Sequence, residues 1–393
     1  MEKRHIAILT GFPFPYGYSG TNRIISYSRG FVEEGCDVCV FLYKRISKVF
    51  NQNIDSYGQY LGINFCYPTK NIFKSDNKIV FLFQLVFDCF RAILKLRKYH
   101  KKNNVDVVLL ATDDPIYVLL FSVFAKIIGI KQVALVVDEY PIPIRYGKEK
   151  ISFFSSVCYR LSFKFLSSMI SMTSYVYNFY RTLIGREISH ILVPITVEND
   201  RFKNCEIEKK NHITYIGNLE IQKDGVDILI RSFALIADKF KNFKLSLIGD
   251  GPDKQVLIKL VKELGLEKQV DFVGILDREF VPQKMQESMI LCLSRPYSKR
   301  AEGGFPTKVG EYLSSGVPTI VTKVGEIPLY LKNKENAFLV IPDSVDDFAN
   351  AMKDVLNNYE EGIKVGLAGR ELANTVFNYK VQSRRILEFF NLL

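Results

Sequence analysis

Residues 212–252 read HITYIGNLEIQKDGVDILIRSFALIADKFKNFKLSLIGDGP. The β-branched run 212–216 ends in Gly217-Asn218-Leu219, and from Lys223 to Asp238 the apolar residues recur at helical spacing. A second apolar run, 244–248, ends in Gly249-Asp250-Gly251-Pro252, where the proline suits the first position of another helix. Strand, glycine turn, helix and strand make a βαβ unit, whose two strands lie parallel.

The alternation extends outward in both directions. Strands are expected at 212–216, 244–248, 269–273, 289–293, 319–322 and 337–341, preceded by a first series at 5–10, 37–43, 105–111, 132–137, 169–172 and 190–193. The expected fold class is therefore α/β, with two Rossmann-like parallel-sheet domains joined by a linker at 194–202 and the polar 203–211. Open α/β sheets bind ligands beyond the carboxyl ends of their strands, so two such sheets facing a central cleft would collect their functional loops in it.

Length supports two domains, since 393 residues exceed the roughly 250–300 at which one core stops growing. Hydrophobic residues at 48 % and charged residues at 24 % exclude a disordered or coiled-coil chain. The seven cysteines, Cys36, Cys39, Cys66, Cys89, Cys158, Cys205 and Cys292, are odd in number and set mostly in apolar surroundings, which suits reduced thiols. Cys36 and Cys39 form a C-x-x-C with neither a second pair nor a nearby histidine, and the four histidines are scattered, so no metal is expected. The opening MEKRHIAILTG lacks the apolar core of a signal peptide, and the apolar run 115–125 is short of the ~20 residues that cross a bilayer. A cytoplasmic location is expected.

The formal net charge of +11 is uneven. Residues 1–200 hold 25 Lys and Arg against 16 Asp and Glu, whereas the remainder holds 28 against 26. The excess concentrates between Arg91 and Lys102, directly after the apolar 79–90, a pairing that suits an anionic membrane surface as well as a solvated helix face. A nucleic-acid partner is not expected, because no recognition motif accompanies the charge.

Several strand-end loops carry candidate chemistry. After the first strand, Gly11-Phe-Pro-Phe-Pro-Tyr-Gly-Tyr-Ser-Gly20-Thr21-Asn22 opens a helix, where Gly20, Thr21 and Asn22 can present polar groups to an anion or a hydroxyl-rich ligand. Lys223, beside Gly225, can neutralise a phosphate. Gly249 and Gly251 form a tight turn, but Lys254 stands where the third glycine of a dinucleotide fingerprint belongs, which argues against a dehydrogenase. In the segment 294–318, Pro306 can open and Gly316 can close a short helix bearing Thr307, Lys308 and Glu311 on one face. The spacing places the Glu311 carboxylate beside the Lys308 cation. Glu311 can then accept the hydroxyls of a ribose, while Lys308 and amides near Gly304 and Phe305 can hold phosphate.

The ordered set Gly217-Asn-Leu, Lys223-Asp-Gly225, Gly249-Asp-Gly-Pro252, Val270-Asp-Phe-Val-Gly274, Glu302 to Glu311, Gly316-Val-Pro318 and Val324-Gly-Glu326-Ile-Pro328 resembles the carboxyl-terminal domain of GT-B glycosyltransferases of family 4. The resemblance covers residues 212–357 well and the first half loosely. It implies a GT-B architecture divided as 1–200 for the acceptor, 201–375 for a nucleotide-sugar, and 376–393 as a terminal helix packing back on the first domain. It also implies that the donor is held by Gly20, Asn218, Lys223, Gly249, Gly251, Arg300, Gly304, Phe305, Pro306, Thr307, Lys308 and Glu311, with no metal and no cofactor. Lys223, Glu302, Asp138 and Glu139 are its implied catalytic residues, and transfer retains the anomeric configuration.

Three departures from that pattern stand out. Asn218 occupies the place of a usual arginine, for which Arg300, Lys299 or Lys308 can substitute. Glu302 and Glu311 enclose eight residues where the pattern has seven, so Gly303 holds the expected glutamate position. Asp138 and Glu139 stand where a histidine is usual in the first domain. The expected reaction moves a sugar from a nucleoside diphosphate to a glycan or polyprenyl-diphosphate-linked acceptor, peripheral to the cytoplasmic face of a membrane. The alternatives are a UDP-sugar epimerase of the same fold and a catalytically silent, membrane-associated relative.

Overall fold

A computed structural model describes residues 3–17, 19–47, 54–202 and 207–393. Part of the expected linker, residues 203–206, and Cys205 within it lie outside the described residues. The chain divides into two compact units, Met1–Thr196 with Tyr379–Leu393, and Val197–Asn378. The boundaries thus fall at 196/197 and 378/379, against the expected 200/201 and 375/376.

In the first unit, strands β1 (His5–Thr10), β2 (Asp37–Leu42), β3 (Tyr57–Tyr60), β4 (Ile63–Cys66), β5 (Val107–Ala111), β6 (Gln132–Val137), β7 (Ser168–Ser171) and β8 (Ser189–Leu192) form one sheet. Its order is β3-β4-β2-β1-β5-β6-β7-β8, parallel except for the β3–β4 hairpin. Sequence periodicity missed that hairpin, whose two-residue turn, Leu61-Gly62, has φ of +51° and +79°. Both signs are those of a primed turn, but leucine is not a residue that announces one. Helices α1 (Ser19–Glu33), α2 (Lys78–Asn103), α3 (Pro115–Ile127), α4 (Ile142–Arg145), α5 (Phe153–Ser162) and α6 (Ser174–Ile184) follow the strands.

The two faces of this sheet bury separate cores, one containing Phe31, Val38, Val107 and Ile386, the other Phe41, Leu110, Phe121 and Met169. Alternate residues of a strand point to opposite faces, which is why Val107 and Leu110 fall on different sides.

The second unit carries β9 (His212–Ile216), β10 (Lys244–Ile248), β11 (Val270–Gly274), β12 (Ile290–Leu293), β13 (Thr319–Thr322) and β14 (Phe338–Val340), all parallel, in the order β11-β10-β9-β12-β13-β14. Its helices are α7 (Ile221–Asp224), α8 (Val226–Ala237), α9 (Lys254–Glu263), α10 (Val281–Glu287), α11 (Lys299–Gly303), α12 (Thr307–Ser314), α13 (Ile327–Tyr330), α14 (Val345–Asn357) and α15 (Tyr359–Thr375). The last helix, α16 (Tyr379–Asn391), packs on α1 in the first unit. Gly30 is the contact point, since a Cβ there would lie 2.2 Å from the Ser383 hydroxyl. Arg384 bonds Glu34 at 2.7 Å and the Tyr379 hydroxyl donates to Glu33 at 2.6 Å.

Candidate functional site

Strand order reverses between β9 and β12 in the second sheet, so the loops after those strands flank a topological switch point, where open α/β sheets take their ligands. Gly217 follows β9, and Gly249 and Gly251 follow β10. A Cβ on Gly249, whose φ is +133°, would lie 1.9 Å from the Gly217 carbonyl oxygen, and one on Gly251 would lie 2.5 Å from that of Leu219. A Cβ on Gly217 would lie 2.2 Å from the Lys308 amine. The three glycines let two turns lie backbone on backbone above a lysine.

Lys308 donates to the Asp224 carboxylate and, at 3.0 Å, to the Tyr215 hydroxyl. That hydroxyl lies 2.8 Å from the same carboxylate and 2.6 Å from the Asn218 carbonyl. Burial opposes a charge on Asp224, but Lys308, with Arg295 and Lys223 nearby, holds its carboxyl below the usual range. Lys223 itself is half-buried and has no ion-pair or hydrogen-bond partner for its amine among the described residues.

The helix expected from Lys223 to Asp238 is in fact two. Gly225, with φ of +62°, separates α7 from α8, and a Cβ there would lie 2.2 Å from the Ser294 carbonyl oxygen. The Ser294 hydroxyl donates to the Gly225 carbonyl at 2.6 Å. The end of β12 therefore docks against the break, and Lys223 sits on the short turn beside the switch point instead of inside a long helix.

The segment 294–318 also departs from expectation. Lys308 and Glu311 do not pair with each other: Lys308 reaches Asp224, whereas Glu311 Oε1 accepts from Arg201 Nη1 at 3.1 Å. Helical side chains lean toward the amino end, so Lys308, at the second position of α12, extends past the helix start while Glu311 lies a turn behind it. Pro306 is the residue before the first helical position, and Thr307 is the first. Gly316, at φ +74°, follows the end of the helix as expected. The Gly304 amide closes α11 by donating to the Arg300 carbonyl at 3.2 Å, so it is engaged within the chain. The Phe305 ring is buried against Tyr330 and Phe377, with centroids 5.5 and 5.7 Å away, and its side chain belongs to the core.

Glu302 accepts from Lys299 at 2.9 and 3.0 Å, one helical turn away. Arg300 approaches Glu220 at 3.5 Å, and the other oxygen of that carboxylate accepts from Asn218 at 2.7 Å. Glu220 thus brings Arg300 to the neighbourhood of Asn218.

The first unit holds a cavity of about 320 Å³ at the carboxyl ends of β1, β2 and β5. Phe12, Tyr43, Lys44, Asp113, Asp114 and Ile142 are among its walls. Burial pushes the Lys44 amine down, against Asp114 and Asp113, which raise it. Arg145 bonds both Asp113 and, at 2.8 Å, Glu139. Asp138 does not line the cavity; it lies 2.8 Å from the Arg23 guanidinium, which is also tied at 2.9 Å to the Val193 carbonyl. Burial pushes the Asp138 carboxyl up, with Glu139 and Asp113 adding to it and Arg23 opposing. Gly20 is the second residue of α1, and a Cβ there would lie 2.8 Å from the Phe12 ring. The Thr21 hydroxyl is committed to the Pro13 carbonyl at 2.6 Å.

Sequence reasoning passed over Asp224, Tyr215, Arg201, Asp113 and Lys44. Asp224 lies within Lys223-Asp-Gly225, where the lysine carries the local phosphate-binding signal. Asp113-Asp114-Pro115 carries a helix-cap signal, and Asp114 does accept from the Ile116 amide at 3.0 Å. Nothing in the local sequence ties Arg201 to a residue 110 positions away. Among the described residues, no group of three His, Cys, Asp or Glu is gathered so that it could hold a metal ion.

Residues 196–371 match the family model described as Glycosyl transferases group 1. The chain is 22 % identical over 233 residues to a GDP-mannose-dependent alpha-(1-6)-phosphatidylinositol monomannoside mannosyltransferase of Mycobacterium tuberculosis, covering 56 % of this chain and 60 % of that protein. It is 24 % identical over 307 residues to the GalNAc-alpha-(1->4)-GalNAc-alpha-(1->3)-diNAcBac-PP-undecaprenol alpha-1,4-N-acetyl-D-galactosaminyltransferase of Campylobacter jejuni, covering 76 % and 74 %. Among solved structures, sucrose-phosphate synthase from Thermosynechococcus elongatus superposes with a TM-score of 0.78 at 15 % identity, over 99 % of both chains. HepE of Anabaena in complex with UDP superposes with a TM-score of 0.73 at 14 % identity, over the whole of both. The fold is GT-B.

Proposed function

We propose that this protein is a glycosyltransferase that carries a sugar from a nucleoside diphosphate to a hydroxyl of a glycan or lipid-linked acceptor, with retention at the anomeric carbon. The observation that carries the reading is the second unit's switch point, where glycine turns that admit no Cβ lie beside Lys223 and Arg300. A diphosphate needs close backbone approach and cations, and a ribose needs a carboxylate such as Glu311. The match of 196–371 to the family model and the nucleotide-sugar chemistry named for the mannosyltransferase relative support it.

In this mechanism Lys223 and Arg300 stabilise the charge that grows on the departing diphosphate, an effect of the oxyanion-hole kind. The bond from the anomeric carbon to the phosphate oxygen breaks as the acceptor oxygen bonds to the same face of that carbon. The acceptor proton passes to the leaving phosphate oxygen. The first unit's cavity takes the acceptor sugar, with Asp113 and Asp114 accepting from its hydroxyls, while Glu139 stands behind that wall through Arg145, which also bonds Asp113. No metal is assigned a role; charge neutralisation falls to side chains.

The acceptor reading extends to a lipid-linked glycan at the cytoplasmic leaflet. Helix α2 turns Phe83 and Val86 outward at 73 and 74 % exposure, buries Asp88 against Arg45, and ends in the basic stretch from Arg91 to Lys102. Such a face suits an anionic membrane surface. Among the described residues, no helix is long and apolar enough to cross a membrane.

The test is a panel of UDP-, GDP- and dTDP-sugars, screened first by thermal stabilisation and then by turnover with a polyprenyl-diphosphate sugar acceptor. A ligand at 100 times its Kd stabilises by about 2.7 kcal/mol, which a melt resolves. One donor is expected to stabilise the protein and release nucleoside diphosphate. Stabilisation by none, or sugar product formed without acceptor, counts against transfer.

A further inference from the structure

We infer that Arg201 is a positioning residue for ribose recognition, holding the Glu311 carboxylate so that one oxygen stays available to the sugar hydroxyls of a nucleoside diphosphate. The inference rests on the donor site proposed above and adds a residue from outside it. Glu311 is 26 % and Arg201 18 % exposed at the side chain. Arg201 Nη1 bonds Glu311 Oε1 at 3.1 Å, while its other terminal nitrogen donates to the Arg278 carbonyl at 2.7 Å. Among the described residues, no further partner is taken by Glu311.

Arg201 is itself held from behind. It lies in a 3-10 turn, Asn199–Arg201, at the start of the second unit. Asn199 donates to Ser314 at 3.2 Å and to Asn374 at 2.7 Å, and the Val197 amide donates to the Phe377 carbonyl at 2.7 Å. Glu198 bonds Arg278 at 2.5 Å, so Glu198, Arg278, Arg201 and Glu311 form a chain of contacts. The guanidinium is therefore fixed before any nucleotide arrives.

The consequence is physical. A flexible glutamate that must freeze one rotamer to accept two hydroxyls loses affinity to that ordering, whereas a glutamate already pinned through one oxygen does not. A guanidinium is planar and permanently charged, so it gives the carboxylate a fixed, directional partner that keeps it aimed.

The experiment is calorimetric binding of UDP and GDP, each against its 2′-deoxy form, to the full chain and to R201A, R201K and E311Q. Wild type is expected to prefer the ribose form by about tenfold or more, the worth of a hydrogen bond to a charged group. R201A is expected to cut that preference about fivefold to tenfold, R201K to cut it less, and E311Q to abolish it. A merely structural loss would lower the fraction of competent protein and leave the ratio unchanged. A ratio in R201A equal to that of wild type overturns the role of Arg201 while leaving the donor site intact. Binding of neither nucleotide by wild type removes the donor site itself, and this inference with it.

Discussion

The amine of Lys308 and the carboxylate of Asp224 meet in a buried ion pair 84 residues apart in sequence, with Asp224 only 1 % exposed. Removing one partner leaves the other charge buried without compensation, which costs about 3–5 kcal/mol. D224A is therefore expected to lower stability in urea by that amount, whereas D224L combined with K308M recovers most of it. Both variants should bind nucleotide more weakly than wild type, because Lys308 underlies the Gly217 turn.

G249A is expected to destabilise more than G265A. Both glycines have positive φ, +133° and +68°, but a Cβ at 265 meets nothing within 4 Å while one at 249 strikes backbone. Strain of this kind costs of order 1–3 kcal/mol, and the clash at 249 adds to it. Parallel chemical melts separate the two, and donor affinity should fall only in G249A.

Phe305, Tyr330 and Phe377 form a mutual aromatic cluster with centroids 5.5–5.7 Å apart. F305A is expected to cost about 3–5 kcal/mol, as buried aromatic deletions do. F305L should retain most of the stability and, because the ring is packed in the core, leave the donor KM unchanged.

His190 is expected to make the protein acid-sensitive. Burial lowers its pKa to about 4 from 6.5, and its ring stacks on Tyr177 and bonds Ser171 at 2.7 Å. Between those two values the unfolded chain binds a proton that the folded one does not, so stability rises with pH there and is lost as pH falls from 6.5 toward 4. H190Q should flatten that part of the curve; an NMR titration of His190 with a midpoint near 6.5 would contradict the account.

Most of the parallel strands expected from the sequence were legible because both of their faces are buried, so each reads as an apolar run; the more exposed β8 and β11 are the exceptions, and observed ends lie within two residues of those expected. The hairpin of β3 and β4 was not, since Tyr57 to Tyr60 alternates between exposed and half-buried positions and turns on Leu61. In the site, spacing along the helix correctly placed Lys308 and Glu311 within a turn of each other but could not reveal their partners. Asp224 and Arg201 compete for them from other segments, and tertiary contact outweighs a local pair worth only about 0.2–0.5 kcal/mol.

The most direct measurement is a crystal structure of the chain with a bound nucleoside diphosphate. The diphosphate is expected against Lys223 and Arg300, beside the Gly217 and Gly249 turns, with the ribose hydroxyls on Glu311. A nucleotide bound in the first unit alone, or a ribose that leaves Glu311 with Arg201 as its sole partner, would contradict that placement.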